Sequence, residues 1–374
     1  MVTVSTRGKA PLTCAVVGLG YWGPNLLRVL VEDGDLTVRW ICDLDDERLA
    51  RYSRRYPGIR TTSAVDDVLN DAEVDAVVIA TPVFTHFDLC TRSLLAGKHT
   101  FVEKPLATSA ALADELVRLA RARKRVLMCG HTFVYSPAVN AVKRMLDERV
   151  LGDVYFISSS RVNLGLHQRD VSVIWDLGPH DFSILLHWLG ERPQSVRAMG
   201  RDSIVKGVVD VAFVTLRFPS GIVAQVELSW LSPSKLRRTV VVGSDKMVVY
   251  EDGAQEPIRL FDHGVVYTDP ESFGEYQLSY RTGDVVSPKL ETSEPLSVEL
   301  EDFGRAIRAR DEMSYHTSLA RDVVAITEAA SRSLEAGGAE VHVERSVPLR
   351  PLSCRLGPLV PSPASSFAVA GGGT

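Results

Sequence analysis

The chain has 374 residues, of which 45% are hydrophobic and 24% charged, and its formal net charge is −5. This composition predicts a soluble globular protein long enough for two domains. The acidic balance argues against a nucleic-acid partner, and no apolar run reaches the roughly 20 residues that span a bilayer. The cysteines form no CxxC pair and the N-terminus has no apolar leader. We therefore expect a cytoplasmic protein without disulfides or a zinc site.

Short apolar runs alternate with helical segments over residues 12–135. The runs LTCAVVGLG, LTVRWICDLD, VDAVVIATP, HTFVEKP and RVLMCGHTF have the composition of strands buried on both faces. This alternation predicts an α/β Rossmann domain with a doubly wound parallel sheet. Residues 1–11 are expected to form a flexible N-terminus.

The pattern changes near residue 150, after SPAVNAVKRMLDERVLGD, a helical connector that begins at residue 136 and ends at Gly152. Segments such as VVDVAFVTLRFPSG and IVAQVELSW alternate apolar and polar residues, with a hairpin turn between them. One helix is expected from about residue 176 to 189, and a late helical stretch from about 297 to 336. The sequence thus predicts an α+β domain over 136–350 with an open, mostly antiparallel sheet. The Pro-, Ser-, Ala- and Gly-rich residues 351–374 are expected to be a disordered tail.

The first strand leads into GLGYWG, which places Gly18, Gly20 and Gly23 as G-x-G-x-x-G before a helical segment. Such glycines allow a tight turn, close approach of a pyrophosphate to the backbone, and close packing of helix on strand. The motif is weak evidence alone, but its context predicts a dinucleotide-binding turn. Tyr21 and Trp22, within the turn, are predicted cofactor contacts.

Asp43 ends the second strand, about 20 residues beyond the last glycine. A carboxylate at that place accepts hydrogen bonds from both ribose hydroxyls of NAD. The neighbouring residues, Leu44, Asp45 and Asp46, include no arginine to hold a 2′-phosphate. The sequence therefore predicts NAD, with NADP disfavoured. An N-cap or turn role is the competing interpretation of Asp43.

Two further strands end in residues suited to the same edge of the sheet. ATPVFTH places Thr81, Pro82 and His86 after one strand, and VEKP places Glu103 and Lys104 at the end of the next. The proline after Lys104 keeps that residue extended, so its ammonium group can reach a substrate hydroxyl. By residue type alone, turn residues and a surface lysine are the competing interpretations.

The stretch WDLGPHD places Asp176 and His180 four residues apart, with Gly178 and Pro179 between them, before the helical run FSILLHWLG. If Asp176 lies near the N-cap, Pro179 falls in the first turn, where its missing N–H has no partner to lose. Asp176 then caps the helix and faces His180 one turn later. One short motif would serve as both a helix start and half of a catalytic site.

This ordered set of motifs, from the glycine turn through EKP to D-x-x-x-H, resembles the Gfo/Idh/MocA oxidoreductases over roughly residues 12–345. The resemblance is nearest to the branch that acts on nucleotide sugars or aminosugar natural products. It implies an NAD-dependent enzyme that oxidises a ring secondary alcohol of a sugar-type substrate to a ketone, or the reverse, by direct hydride transfer. It also implies a homodimer or homotetramer assembled through the C-terminal sheet.

The resemblance assigns catalytic roles to three residues. His180 would act as the general base, Lys104 would hold the same substrate oxygen, and Asp176 would orient the imidazole. Which of Lys104 and His180 carries the proton stays open at this point. Asp176 and His180 are not expected to bind a metal ion, because no third ligand is nearby.

The substrate contacts rest on position and on the same resemblance. Arg161 and Asn163 end the first strand of the second domain, and the segment around Tyr135 resembles the floor of the family's active site. The stretch VELSWLSPSKLRR resembles members that act on nucleotide-linked sugars. There, Trp230 would pack on a sugar face, and Lys235 and Arg237, with Arg238, would meet a diphosphate.

Alternatives remain for substrate and for function. A cationic aminoglycoside or aminocyclitol would require an acidic mouth, for which Asp170, Asp210 and Glu227 are available. A second class of function is an NAD-dependent glycosidase that uses transient ring oxidation. A third is a non-catalytic NAD-binding regulator.

Overall fold

The N-terminal part of the chain alternates strictly between strand and helix. A computed structural model describes residues 12–33, 36–165, 171–268, 277–312 and 314–344. Its first elements are β1 (Leu12–Val17), α1 (Gly23–Asp33), β2 (Leu36–Cys42), α2 (Asp46–Arg55), β3 (Arg60–Thr62), α3 (Val65–Asn70), β4 (Ala76–Ile79), α4 (His86–Leu95), β5 (His99–Glu103), α5 (Ala110–Arg123) and β6 (Leu127–Gly130).

These strands form one parallel sheet in the order β3-β2-β1-β4-β5-β6. Every residue of β4 and β6 is buried, because helices cover both faces of the sheet. The strand order reverses between β1 and β4, and in doubly wound sheets ligands bind at the carboxyl ends of the strands at that point. The predicted Rossmann architecture is confirmed.

The C-terminal part is built around a second sheet. Its elements are α6 (Pro137–Asp147), β7 (Val154–Leu164), α7 (Val173–Leu189), β8 (Ser195–Arg201), β9 (Val211–Arg217), β10 (Val223–Ser229), β11 (Leu231–Gly243), β12 (Met247–Glu251), β13 (Ile258–Thr268), β14 (Gln277–Val286), α8 (Pro295–Ala309), α9 (Ser314–Glu335) and β15 (Val341–His342).

The nine strands run in the order β14-β13-β12-β11-β7-β10-β9-β8-β15, and only the β7–β10 pair is parallel. Buried and accessible residues alternate along β9 and β10, since one face of the sheet packs on helices. We call this covered side the inner face. The opposite, outer face exposes the large apolar side chains of Phe156, Met199 and Phe213.

Helix α8 returns to the N-terminal sheet. Phe303 on α8 packs edge-on against Phe101 of β5, with ring centroids 5.8 Å apart. Leu300 and Ile307 of the same helix join the apolar cluster that lies beneath β1 and α1. The late helices, assigned from sequence to the second domain, therefore brace the first domain as well. Within the described ranges, no helix is long and apolar enough to cross a membrane.

Candidate active site

The glycine-rich turn is shaped by backbone contacts. Gly18 has a φ of +96°, and a Cβ added there would lie 2.6 Å from the carbonyl oxygen of Ala80. A Cβ on Gly23 would overlap the carbonyl oxygen of Gly18. Gly20 meets nothing closer than the Arg48 guanidinium at 3.9 Å. Packing thus requires Gly18 and Gly23, whereas Gly20 leaves open backbone of the kind that a pyrophosphate approaches.

Asp43 fixes the loop that follows β2. One carboxylate oxygen accepts from the Leu19 N–H at 2.5 Å, and the other accepts from the Asp45 N–H at 2.9 Å. Each oxygen keeps a second lone pair that can accept from a ribose hydroxyl. The glycine cradle and this carboxylate fit NAD, which supplies the hydride acceptor when bound.

An arginine does lie beside Asp43, contrary to the expectation from sequence. Arg48, in the first turn of α2, reaches back to within 3.8 Å of the Asp43 carboxylate, and its Nε lies 3.1 Å from Asp45. Arg48 is five residues from Asp43 in sequence, and the first turn of α2 brings its side chain back toward that carboxylate. Two carboxylates balance the Arg48 charge, so an added 2′-phosphate would meet acidic groups as well as this cation.

His86 is a buried tie between two loops. One ring nitrogen lies 2.8 Å from the carbonyl oxygen of Thr81 and the other lies 2.8 Å from that of Pro105. Burial lowers the pKa of His86, while its two carbonyl contacts oppose that shift. His86 was predicted to touch the cofactor. Here both ring nitrogens are engaged by backbone, so it supports the loop at Thr81 and the residue after Lys104.

Glu103 lies in the wall behind Lys104. Its carboxylate accepts from the Lys104 N–H at 3.2 Å, and its Oε1 has no hydrogen-bond partner among the described residues. Burial raises the pKa of Glu103 to about 8, against the lowering effects of the Lys104 charge and a hydrogen bond from Trp22. Trp22 stacks on the exposed Tyr21, with ring centroids 6.4 Å apart. The glycine-rich turn and Lys104 are thereby linked.

Lys104 joins the two parts of the chain. Its Nζ donates to the backbone carbonyl of Asp176 at 2.8 Å and lies 3.3 Å from the Asp176 carboxylate. The other carboxylate oxygen of Asp176 accepts from the indole N–H of Trp230 at 3.1 Å. No hydrogen bond joins Asp176 to the His180 ring within the described chain. Asp176 therefore holds Lys104 here, in place of the predicted contact with the imidazole.

Helix α7 begins earlier than the sequence suggested. Its N-cap is Ser172, so Asp176 lies inside the helix and Pro179 lies in the second turn. Because proline has no N–H, the carbonyl of Trp175 receives no intrahelical bond from it. The prediction that Asp176 caps the helix is wrong, since the apolar residues Val173 and Ile174 are buried and extend the helix by one turn.

His180 lies among Lys104, Phe133, Arg161 and Arg237, and we call the region bounded by these residues the cleft. The imidazole is half-buried, meets the ring of Phe133 edge-on at 5.1 Å, and makes no hydrogen bond to any residue that the structure describes. Burial lowers the pKa of His180 well below its ordinary value, and the positive charges of Lys104, Arg161 and Arg237 add to the shift. The ring is therefore neutral near pH 7 and able to accept a proton.

The remaining predicted substrate residues differ in position. Arg161 and Arg237 are paired in register on the inner face, whereas Arg238 is the next residue along and lies on the outer face. Lys235 is exposed. The three basic residues of this stretch therefore do not form one cluster, because a strand turns successive side chains to opposite faces. Asn163 lies on the strand of Arg161, with a buried Oδ1 that has no partner in the described chain.

Two aromatic residues support the site from behind. Trp230 is 1% exposed, so it holds Asp176 and offers no free face to a sugar. The Tyr135 hydroxyl donates to Asp302 at 2.7 Å, and its ring stacks on His316 with centroids 5.6 Å apart. Both contacts bind Tyr135 to α8 and α9 instead of the cleft.

Of the three residues proposed for an acidic mouth, the two that the structure describes do not line the cleft. Glu227 lies on the outer face and accepts from Ser160, and Asp210 is fully buried and accepts from the N–H groups of Ser203 and Ile204. Asp170 lies outside the described residues. Within the described ranges, no group of three or more His, Cys, Asp or Glu side chains is arranged to hold a metal ion.

Sequence reasoning missed Phe133, Asp181 and Asp252. The ring of Phe133 lies between His180 and the two inner-face arginines, while Asp181 and Asp252 each pair with one of those arginines. Asp181 could have been found from sequence, because it directly follows His180. The contacts of Phe133 with His180 and of Asp252 with Arg237 join residues that are not neighbours in sequence, and no local pattern indicates them.

Comparison with known proteins agrees with this architecture. A sequence model described as "Oxidoreductase family, NAD-binding Rossmann fold" (GFO_IDH_MocA) matches residues 12–131, and the GFO/IDH/MocA C-terminal domain matches residues 139–249. UDP-N-acetylglucosamine 3-dehydrogenase of Acidithiobacillus ferrooxidans is 30% identical over 232 residues, which cover 62% of this chain and 71% of that protein.

Other relatives have different activities. The 2,7-anhydro-N-acetylneuraminate hydratase of Escherichia coli is 26% identical over 57% of this chain, and the match spans only 60% of its own length. Among solved structures, GenD2 from gentamicin A biosynthesis in complex with NAD is similar with a TM-score of 0.77 and 26% identity, over 92% of this chain and 100% of that one.

Proposed function

The chain belongs to the GFO/IDH/MocA oxidoreductase family, with an NAD-binding Rossmann domain, and from this premise we propose that it oxidises a ring secondary alcohol of a sugar-type substrate to a ketone, or catalyses the reverse. One observation carries the proposal. Lys104, at the edge of the cofactor-binding sheet, contacts Asp176, which lies one helical turn before the neutral base His180. The positive charge of Lys104 also lowers the pKa of His180, so the cation and the proton acceptor that alcohol oxidation needs are within electrostatic reach of each other.

The proposed mechanism divides the work between these residues. NAD, held by the glycine-rich turn and Asp43, would supply the hydride acceptor for the carbinol carbon. His180 removes the hydroxyl proton, because its lowered pKa keeps the ring neutral and none of the described residues makes a hydrogen bond to its nitrogens. Lys104 donates a hydrogen bond to the same oxygen and stabilises its developing negative charge. Asp176, held by Trp230, positions the Lys104 ammonium group.

For the substrate, we favour a nucleotide-linked sugar or an aminosugar over a polycationic aminoglycoside. One relative is named as a UDP-N-acetylglucosamine 3-dehydrogenase, which supports the first class, whereas one similar structure is from gentamicin A biosynthesis and supports the aminoglycoside. The cleft supports the first class, since Lys104, Arg161 and Arg237 surround His180 with positive charge. A substrate with several ammonium groups would be repelled by these cations.

We further propose a cytoplasmic homodimer or homotetramer assembled through the outer face. The exposed side chains of Phe156, Met199 and Phe213 support this assembly, because apolar groups of that size favour burial. The four buried cysteines that the structure describes have free thiols, as cytoplasmic proteins do. Light scattering after gel filtration tests the assembly, and a monomeric mass at micromolar concentration would contradict it.

A second candidate is an NAD-dependent glycosidase that uses transient ring oxidation. One relative is named as a hydratase, so activities other than a net dehydrogenation occur among the relatives. Such a glycosidase would retain NAD and show no net NADH. A non-catalytic regulator is disfavoured, since Lys104 and His180 are both in place.

One experiment separates these functions. The purified chain is incubated with NAD and nucleotide sugars, free sugars, inositols, aminoglycosides or aryl glycosides, while NADH absorbance and product formation are followed together. Net NADH with a ketone product supports the dehydrogenase. Glycoside cleavage without net NADH supports the second candidate. No reaction with any class would contradict both.

A further inference from the structure

Two arginines face each other on the inner face of the nine-stranded sheet. Arg161 of β7 and Arg237 of β11 are direct partners in the antiparallel register. Like charges placed opposite each other destabilise a strand pair. Both guanidinium groups lie over the ring of Phe133, at 4.6 and 5.9 Å from its centroid, and the same ring touches His180 edge-on at 5.1 Å. The arginine pair is thus separated from the proposed base by one aromatic ring.

Each arginine forms an ion pair with one carboxylate. Arg161 bonds Asp181 through Nε, and Arg237 donates to Asp252 through Nη1 at 2.8 Å. Arg161 is 3% exposed, yet its Nη1 has no hydrogen-bond partner among the described residues. An unmatched buried donor on a charged group is costly. The Arg237 side chain remains 33% exposed, so a ligand in the cleft can reach it.

We propose that Arg161 and Arg237 form a recognition element for an anionic group of the substrate, a carboxylate or a phosphate that lies next to the alcohol facing His180. This inference rests on the proposed function, since it defines the site by His180. The planar guanidinium fork matches two oxygens of either anion. An anion between the arginines also offsets the repulsion within the pair, whereas a neutral sugar leaves that repulsion in place.

The test measures binding separately from turnover. The enzyme loaded with NADH is titrated with glucuronate, glucose 1-phosphate or glucose, and binding is followed by NADH fluorescence at low and high salt. We expect the better of the two acids to bind at least about tenfold more tightly than glucose at low salt, with a preference that declines as salt screens the charges. Preference for glucuronate identifies a carboxylate, and preference for glucose 1-phosphate identifies a phosphate.

Substitutions locate the effect. Arg237→Gln should weaken binding of the preferred acid by about 10- to 100-fold and leave glucose unchanged. Arg238→Gln is the matched control, because Arg238 is the next residue and lies on the outer face, paired in register with Ser160. It should change neither affinity. Arg237→Lys keeps the charge without the planar fork, and its affinity for the preferred acid should be intermediate. If circular dichroism shows that Arg237→Gln is unfolded, Arg237→Lys takes its place in the test.

The outcomes distinguish this inference from the proposed function. Equal binding of glucose and both acids, or equal loss of all three in Arg237→Gln, would overturn the arginine assignment even if NADH is formed from neutral sugars. Selective acid binding that depends on Arg237 would support the assignment even if no alcohol is oxidised.

Discussion

The two halves of the candidate site are built by different means. At the edge of the parallel sheet, conformation and backbone contacts dominate, as shown by Gly18 with its φ of +96° and its close approach to Ala80. On the inner face of the second sheet, side-chain pairs dominate, as in Arg161 with Asp181 and Arg237 with Asp252. Side chains can be substituted more readily than a backbone conformation. We therefore expect the glycine-rich turn to tolerate fewer substitutions than the arginine pairs of the second sheet.

The largest expected effect is at Lys104, where the two halves meet. Lys104→Ala removes the cation that we propose to stabilise charge on the substrate oxygen, and turnover should fall by about 10³-fold or more. NAD binding, measured by fluorescence or calorimetry, should remain within a few-fold, since the glycine turn is untouched. Lys206→Ala, an exposed lysine, is the control. Turnover close to that of the unaltered enzyme would contradict the assignment.

Two glycines of the glycine-rich turn should differ in how much an added methyl group destabilises the fold. Gly18→Ala should destabilise the fold by about 2–4 kcal/mol, because the φ is unfavourable and the added Cβ meets the Ala80 carbonyl. Gly20→Ala meets no close atom and should retain its melting temperature while weakening NAD binding. Thermal unfolding with and without NAD measures both. Equal melting temperatures for the two variants would contradict the distinction.

Variants of Asp43 and Arg48 test the preference for NAD over NADP. Asp43→Asn removes one of the two carboxylates that balance the Arg48 guanidinium, so a 2′-phosphate should be better tolerated. The ratio of kcat/KM for NAD to that for NADP should fall by about 10- to 100-fold. Arg48→Ala in the same background should reverse the gain with NADP. An unchanged ratio in Asp43→Asn would remove Asp43 from the discrimination.

The pH profile tests the charges around His180. Because burial and three cations lower the pKa of His180, the acid limb of kcat/KM should lie below the ordinary histidine range, and activity should be lost only as pH falls through that lowered value. Arg237→Gln removes one cation, so the limb should move to higher pH. His180→Asn should abolish the limb. A limb that does not move in Arg237→Gln would separate Arg237 from His180.

The smallest expected effect is at Tyr135. Its hydroxyl bonds Asp302 and its ring stacks on His316, so Tyr135→Phe should cost about 1 kcal/mol of stability and change kcat/KM little. Denaturant unfolding and steady-state kinetics measure the two quantities. A large loss of substrate affinity without loss of stability would restore the original prediction that Tyr135 binds substrate.

The sequence predicted the Rossmann half well because its signals are local. Glycine spacing, a carboxylate at the end of β2 and apolar strands follow from rules that act within about 30 residues. The fold of the second half was also predictable, including the hairpin between β9 and β10. Alternation of apolar residues is sufficient for those features.

The details of the substrate side were not predictable in the same way. The sequence predicts that Trp230 packs on a sugar face, but Trp230 is buried and donates to Asp176, which lies 54 residues away in sequence. Arg48 was missed because a helix brings it back to Asp43. The start of α7 was placed too late because Pro179 and Gly178 resemble a terminus, whereas burial of Val173 and Ile174 extends the helix. Tertiary packing decided each case.

The bond from Lys104 to the carbonyl of Asp176 has a consequence for how this enzyme can diversify. In an α-helix, that carbonyl faces the N–H four residues later, which belongs to His180. One backbone carbonyl therefore contacts both the Lys104 ammonium group and the helical turn that carries the His180 side chain. Arg161 of β7 and Arg237 of β11 take no part in this bond, so substitutions there leave the link between Lys104 and α7 in place. Their charges still lower the pKa of His180, so a change in what these strands bind also changes the proton affinity of the proposed base.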